Sequence, residues 1–250
     1  MTAEKENRHP INRVTNQAAM ETLDITYRLH QNEGKDYSLT VKLDASDLSL
    51  LAPLPDTSPE WTKLSNHQCL DCPLIEQETS HCPAAVTLAN LSDEFYDLRS
   101  FDELDVEIEI DEKKISVHTS AQQVLSSLVG LLMASSGCPN TEFLRPLTRF
   151  HSPLARKEET LFRVVSMYLL AQYFRIEEQQ TPDLALSGLT HSYRVLQRVN
   201  QSIADRLRSA NHSDAGVNAV VLLDLFAKAL PDSIDDSLEE LRNLFHTYLK

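Results

Sequence analysis

Glycine is scarce in this chain, with 5 in 250 residues. Glycine-rich loops that cradle phosphates and runs of tight hairpins therefore have little material to work with. Long apolar runs are missing as well. The longest nearly apolar stretch, Val124 to Ala134, is about half of the roughly 20 residues that cross a bilayer, and it reads as a buried helix. Residues 1–21 are polar and mixed in charge, without the apolar centre of an export signal. They are expected to form a flexible tail on a cytoplasmic protein, whose thiols would stay reduced. No G-x-S-x-G, H-E-x-x-H, Walker or dinucleotide-binding motif occurs. Positive charge is short too: 23 Lys and Arg face 37 Asp and Glu, a net charge of −14. Such a balance argues against nucleic acid and anionic membranes as partners.

What is present is ordinary globular material, 42% hydrophobic and 24% charged, in a chain long enough for a sizeable core. The charge is segregated. Residues 22–119 hold 20 acidic and 7 basic side chains, whereas residues 141–212 hold 7 acidic and 10 basic. The acidic part alternates as strands do, over Ile25 to His30 and Tyr37 to Leu43 around Gln31 to Gly34. Leu104 to Ile110 and Lys114 to Thr119 alternate similarly around Asp111 to Lys113. Two hairpins, able to join in one antiparallel sheet, are the expectation, with a proline-rich loop over Pro53 to Pro59.

Beyond Ala121 the apolar period becomes helical. Val124, Leu125, Leu128, Leu131 and Leu132 form one stripe, with Gly137 as a C-terminal cap. A second helix is expected over Lys157 to Ile176, with Leu161, Val164, Val165, Tyr168 and Leu169 inward. A third would start at Thr181-Pro182-Asp183 and run to about Arg208. Asp214 to Leu230 is apolar nearly all round, and Leu238, Leu241, Phe245 and Tyr248 suggest a last amphipathic helix. The fold class is α+β: a small antiparallel sheet of two hairpins on a body of about five or six helices. The acidic β-rich part (22–119) and the helical part (120–250) would form one integrated domain.

The cysteines give the most specific chemical signal. Cys69 and Cys72 form a C-x2-C pair, Cys82 follows, and Cys138 comes much later. Three of the four precede proline, and Pro83 and Pro139 stand where helices could begin. Sulfurs at such helix starts would feel the positive end of the dipole, which favours thiolate. Four thiolates complete a tetrahedral shell for a zinc ion, and the same set could carry an iron–sulfur cluster. His67 and His81 are close enough in sequence to substitute for one sulfur. Small buried thiols are the plain alternative, and a redox dithiol at Cys69 and Cys72 is another.

A second cluster runs from Arg145 to Arg163. Here Arg149 and Arg163 could bind an anion, and His151 could act as a base oriented by Glu158 or Glu159. That reading places these side chains in a pocket lined by Tyr168 or Tyr173. A solvated helix face with a Glu159–Arg163 pair is the alternative. Ser166, Gln172, Asn200, Asn218 and Asp224 interrupt apolar stripes, where hydrogen bonds that fix helix registry are the usual reason.

The runs Cys69-x2-Cys72-Pro73, Cys82-Pro83-Ala84, Ser136-Gly137-Cys138-Pro139, Arg149-Phe150-His151 and Glu158-Glu159-Thr160 resemble a bacterial family of unknown function, as does Ser166-Met167-Tyr168-Leu169-Leu170-Ala171-Gln172-Tyr173-Phe174. The likeness covers about residues 61–230. It implies a bacterial, cytoplasmic protein and lends no activity, substrate or cofactor. The residues themselves favour a metal-binding protein of regulatory or interaction type, whose ion ties the sheet region to the helices. Its partner would be another protein or a second copy of the chain. An enzyme or anion-binding module on the second cluster and a thiol-redox protein are the alternatives.

Overall fold

A computed structural model describes residues 21–31, 34–51, 58–95, 97–210, 216–221, 223, 224, 227 and 238–250. The expected N-terminal tail before residue 21, the centre of the proline-rich loop and parts of the 214–230 segment lie outside the described residues.

Alternating side chains build the sheet. Strands β1 (Thr22–His30) and β2 (Asp36–Asp44) pair in antiparallel register, Ile25 opposite Val41 and Leu29 opposite Tyr37. Strands β3 (Glu103–Ile110) and β4 (Lys113–Ser120) form the second hairpin, turning at Asp111, whose φ is 51°. Antiparallel pairing of β1 with β3 joins the two hairpins into one sheet of order β2-β1-β3-β4. Period-two alternation then gives each face its own chemistry. Leu23, Ile25, Tyr27, Leu29, Val41, Leu104, Val106 and Ile108 are buried on one face. On the other, Arg28 meets Glu107 at 3.2 Å and Glu109 at 2.8 Å, and Lys114 meets Glu107 at 2.6 Å.

Helices complete the fold: α1 (Pro83–Glu94), α2 (Ala121–Ser135), α3 (Pro146–Arg149), α4 (Lys157–Glu177) and α5 (Ser187–Ser209). Helix α2 buries the whole expected stripe, and Gly137 follows its end with φ of 80°, a conformation glycine adopts without strain. Sheet residues, α1, α2 and the second half of α5 share one core with Ala219 and Val220. A smaller core joins α4, the first half of α5 and Ala227. No helix among the described residues is long and apolar enough to cross a membrane.

Three expectations change. Helix α5 starts at Ser187, not Pro182, because Asp183 keeps the preceding loop in place. Its backbone N–H donates to Gln172 Oε1 at 2.8 Å, and its carboxylate accepts from the Gly188 N–H at 2.6 Å and from Tyr168 Oη at 2.9 Å. Helix α4 buries Leu161, Val164 and Val165 but exposes Leu169, Leu170, Tyr173 and Phe174. Ser166, expected on a buried face, is exposed. The second half of α4 has outrun the core that its first half packs against.

Leu125 is 1% exposed at the centre of α2. Leu125→Ala should cost about 2–5 kcal/mol of stability, as large-to-small changes in cores do. Urea unfolding measures this, and a loss near zero would contradict the packing of α2 on the sheet.

Candidate functional site

The cysteine loop is held by one stripe of α5. Arg198, Ser202 and Arg206 are spaced by four, hence stacked along a single helix face. Arg206 is only 1% exposed, yet carries a guanidinium. Its Nη1 donates to the carbonyls of Trp61 at 3.0 Å and Lys63 at 2.6 Å, and its Nη2 to that of Leu64 at 3.0 Å. Ser202 Oγ donates to the His67 carbonyl, and Arg198 pairs with Asp71. The loop also closes on itself, with the Leu64 N–H donating to Ser80 O at 2.9 Å and the Cys82 N–H to Thr62 O at 2.8 Å.

This arrangement brings the four cysteines to one place. Cys69, Cys72, Cys82 and Cys138 all line a cavity of about 10 Å³, together with Leu64, Ile203 and Arg206. The Cys72 N–H donates to the Cys69 carbonyl at 3.0 Å, making the C-x2-C segment a turn. Cys82 directly precedes α1 and its carbonyl accepts the Val86 N–H at 2.9 Å, as a helix N-cap carbonyl does. Cys138 arrives from the end of α2, and Asn140 Nδ2 donates to the Asp71 carbonyl at 3.1 Å, linking the two segments. All four thiols are free. His67 and His81 do not line this cavity: the His67 carbonyl is engaged by Ser202, and His81 Nδ1 is bonded to Ser80 Oγ at 2.8 Å. Among the described residues, no group of three or more His, Cys, Asp or Glu side chains is arranged to hold a metal ion as placed.

The electrostatics at Cys138 differ from the expectation of a lowered thiol pKa at a helix start. Burial pushes Cys69 up to about 12, and its three cysteine neighbours push the same way. Burial also raises Cys138, outweighing a backbone bond from Asn140 and the Thr141 hydroxyl. No long helix starts at Pro139; a turn and a short 3-10 segment, Glu142–Leu144, follow instead, so Cys138 lacks a helix dipole. Burial lowers the Arg206 pKa, and the neighbouring Cys82, Cys69 and Cys72 act in the opposite direction. Its Nε is buried without a hydrogen-bond partner. Neither Arg198 nor Arg206 was singled out from the sequence. The available signal was a cation at position 206 on the apolar stripe that includes Ile203 and Leu207.

The second cluster does not assemble as expected. Arg149 pairs with Asp111 at 3.2 Å on the surface. Glu158 is exposed, and Glu159 accepts from Ser152 Oγ at 2.5 Å. The His151 bond goes elsewhere, from Nε2 to Tyr27 Oη at 2.5 Å, and Tyr27 also reaches Ser127 Oγ at 3.3 Å. Only His151 and Arg163 of the five line a common cavity, and neither Tyr168 nor Tyr173 lines it. Tyr168 bonds Asp183, and Tyr173 bonds Glu177. Glu158 and Glu159 therefore do not orient the imidazole.

A family model described as a domain of unknown function, DUF6901, matches residues 25–246. No curated protein and no solved structure matches the chain.

His151 generates a pH dependence. Burial, with help from the Arg163 charge, lowers its pKa to about 4, against about 6.5 in an unfolded chain. Above pH 6.5 the imidazole is neutral in both states and its contribution is constant. As pH falls from 6.5 toward 4, the unfolded chain takes up a proton that the fold refuses, and stability drops by up to about 3 kcal/mol. Unfolding of the wild type and of His151→Gln at pH 7 and 4.5 should show the larger loss in the wild type. An imidazole titrating near 6.5 by NMR would contradict this.

Proposed function

The chain belongs to the DUF6901 family, and we propose that it is a metal-binding protein whose Cys69, Cys72, Cys82 and Cys138 close on one zinc-type ion. The supporting observation is the convergence of four sulfurs from three separate segments on one small cavity. Chance placement of four cysteines among 250 residues gives no reason for it. An ion would draw the sulfurs inward from their present positions, through side-chain rotation and a small closure of the 69–72 turn.

Charge supports the same reading. Four thiolates around a divalent cation leave a net charge of −2, which a buried site must offset. Arg206 lines that cavity as a buried cation with an unpartnered Nε–H, a donor suited to a metal-bound sulfur. Free space of about 10 Å³ is the size of one water-like sphere. This favours a single ion over an iron–sulfur cluster. A dithiol exchange role for Cys69 and Cys72 is disfavoured, because a reactive cysteine needs a lowered pKa and burial raises that of Cys69.

The ion would have a structural role. It would tie the loop before α1 to the end of α2, and metal affinity would thereby become folding free energy. The cellular role is regulatory or interaction-based in a cytoplasmic setting, with a protein or a second copy as partner. The exposed apolar second half of α4, with Leu170, Tyr173 and Phe174, supports that side of the proposal.

Elemental analysis of anaerobically purified protein should find about one zinc per chain and no visible absorption band. Removing the ion with chelator, or introducing Cys138→Ser, should lower Tm by about 10 °C, the shift produced by a loss of a few kcal/mol. A visible absorption band with bound iron and sulfide would assign a cluster instead. Metal-free protein with four freely titrating thiols and a chelator-independent Tm would overturn the proposal.

A further inference from the structure

A second cavity, of about 560 Å³, lies between α2, the α3–α4 connection, α4 and α5. That volume falls in the range of sites for small organic ligands. Its lining includes apolar Leu131, Leu147, Val164 and Leu196. The charged residues among its described lining are Arg156, Lys157 and Arg163, with no carboxylate, although the whole chain carries −14. All three come from the segment 141–212, which holds 10 basic and 7 acidic side chains, and the lining collects its cations without its acids.

The buried polar groups point the same way. Asn200 lines the cavity at 1% exposure, and neither its Oδ1 nor its Nδ2 has a hydrogen-bond partner. A buried carboxamide left unsatisfied is costly to the fold. The registry role that explains Gln172, which accepts the Asp183 N–H at 2.8 Å, is therefore missing at Asn200. Arg163 spends Nη2 on the carbonyls of Leu147 and Phe150. The carboxylate acting on it is Glu159, which is itself bonded to Ser152. His151 is engaged with Tyr27, so Arg163 is the inner positive charge of the cavity.

We propose that this cavity binds a small amphipathic carboxylate, an organic acid anion with an apolar chain of medium length. The chain lies against Leu131, Leu147, Val164 and Leu196. The head group takes hydrogen bonds from Arg163 and Asn200, and Arg156 and Lys157 supply positive potential at the rim. This site shares no ligand residue with the cysteine cluster, so its test is independent of the metal.

Decanoate serves as the probe and decylammonium as its charge-reversed control, both titrated calorimetrically into the full-length protein below their micelle-forming concentrations. Decanoate should bind saturably at one site per chain, with decylammonium at least tenfold weaker. Arg163→Met and Asn200→Leu should each weaken decanoate about tenfold, the effect of losing one charge-assisted or buried hydrogen bond. Lys157 is exposed, so Lys157→Glu leaves the fold intact and should weaken binding several-fold, which keeps the test decisive if the buried variants do not fold. Absence of saturable decanoate binding, equal affinity for the two head groups, or a Lys157→Glu variant that binds decanoate like the wild type would overturn the proposal.

Discussion

The guanidinium of Arg206 is the constraint from which the functional half of this molecule follows. A buried cation is costly unless its donors are occupied. Arg206 meets that demand at Nη1 and Nη2, though not at Nε, with the carbonyls of Trp61, Lys63 and Leu64, three backbone acceptors from one loop. Those bonds are reciprocal in effect. The loop carbonyls find donors away from water, and the loop is fixed against α5 at the depth where Cys69 and Cys72 meet Cys82 and Cys138. Ser202 and Arg198 extend the attachment toward the helix N-terminus.

The sheet solves a different problem. Its acid-rich sequence could have opposed folding through repulsion, but period-two alternation sends the carboxylates to one face. There Arg28, Lys42 and Lys114 interleave with Asp24, Glu107 and Glu109. Exposed pairs of this kind contribute little each; their effect is to let the opposite face be largely apolar. Tyr27 is one of the residues on that buried face that carry a hydroxyl. Its hydroxyl extends to Ser127 on α2 and to His151, a polar link between the sheet and the helical body. Burial raises its pKa, which keeps the phenol in its neutral form.

Local pattern made much of this legible. The two hairpins, helix α2 with its stripe and the start of α4 follow from periodicity, which each segment carries in its own residues. Helix α5 began later than its Thr-Pro-Asp signal suggested, because Asp183 bonds Gln172, Tyr168 and Gly188 rather than opening a helix. The α4 stripe runs through Leu169 in the sequence pattern, yet the core beneath it ends near Tyr168. Thiol acidity was misjudged for a similar reason. Proline after cysteine marks a helix start at Cys82 but not at Cys138, whose burial depends on what packs over it.

Sequence alone therefore determined the α+β class, the paired hairpins and the spacing that made four cysteines worth attention. Tertiary structure decided which side chains meet: that Cys138 joins the other three, that His67 and His81 do not, and that His151 turns to Tyr27 instead of a glutamate. It also decided that Arg163 and Asn200 line one cavity. The division has a physical cause. Backbone periodicity and capping act over a few residues and can be read along the chain. Convergence across more than a hundred positions depends on how faces pack, and a single buried arginine, marked along the chain only as a cation on an apolar stripe, can set that packing.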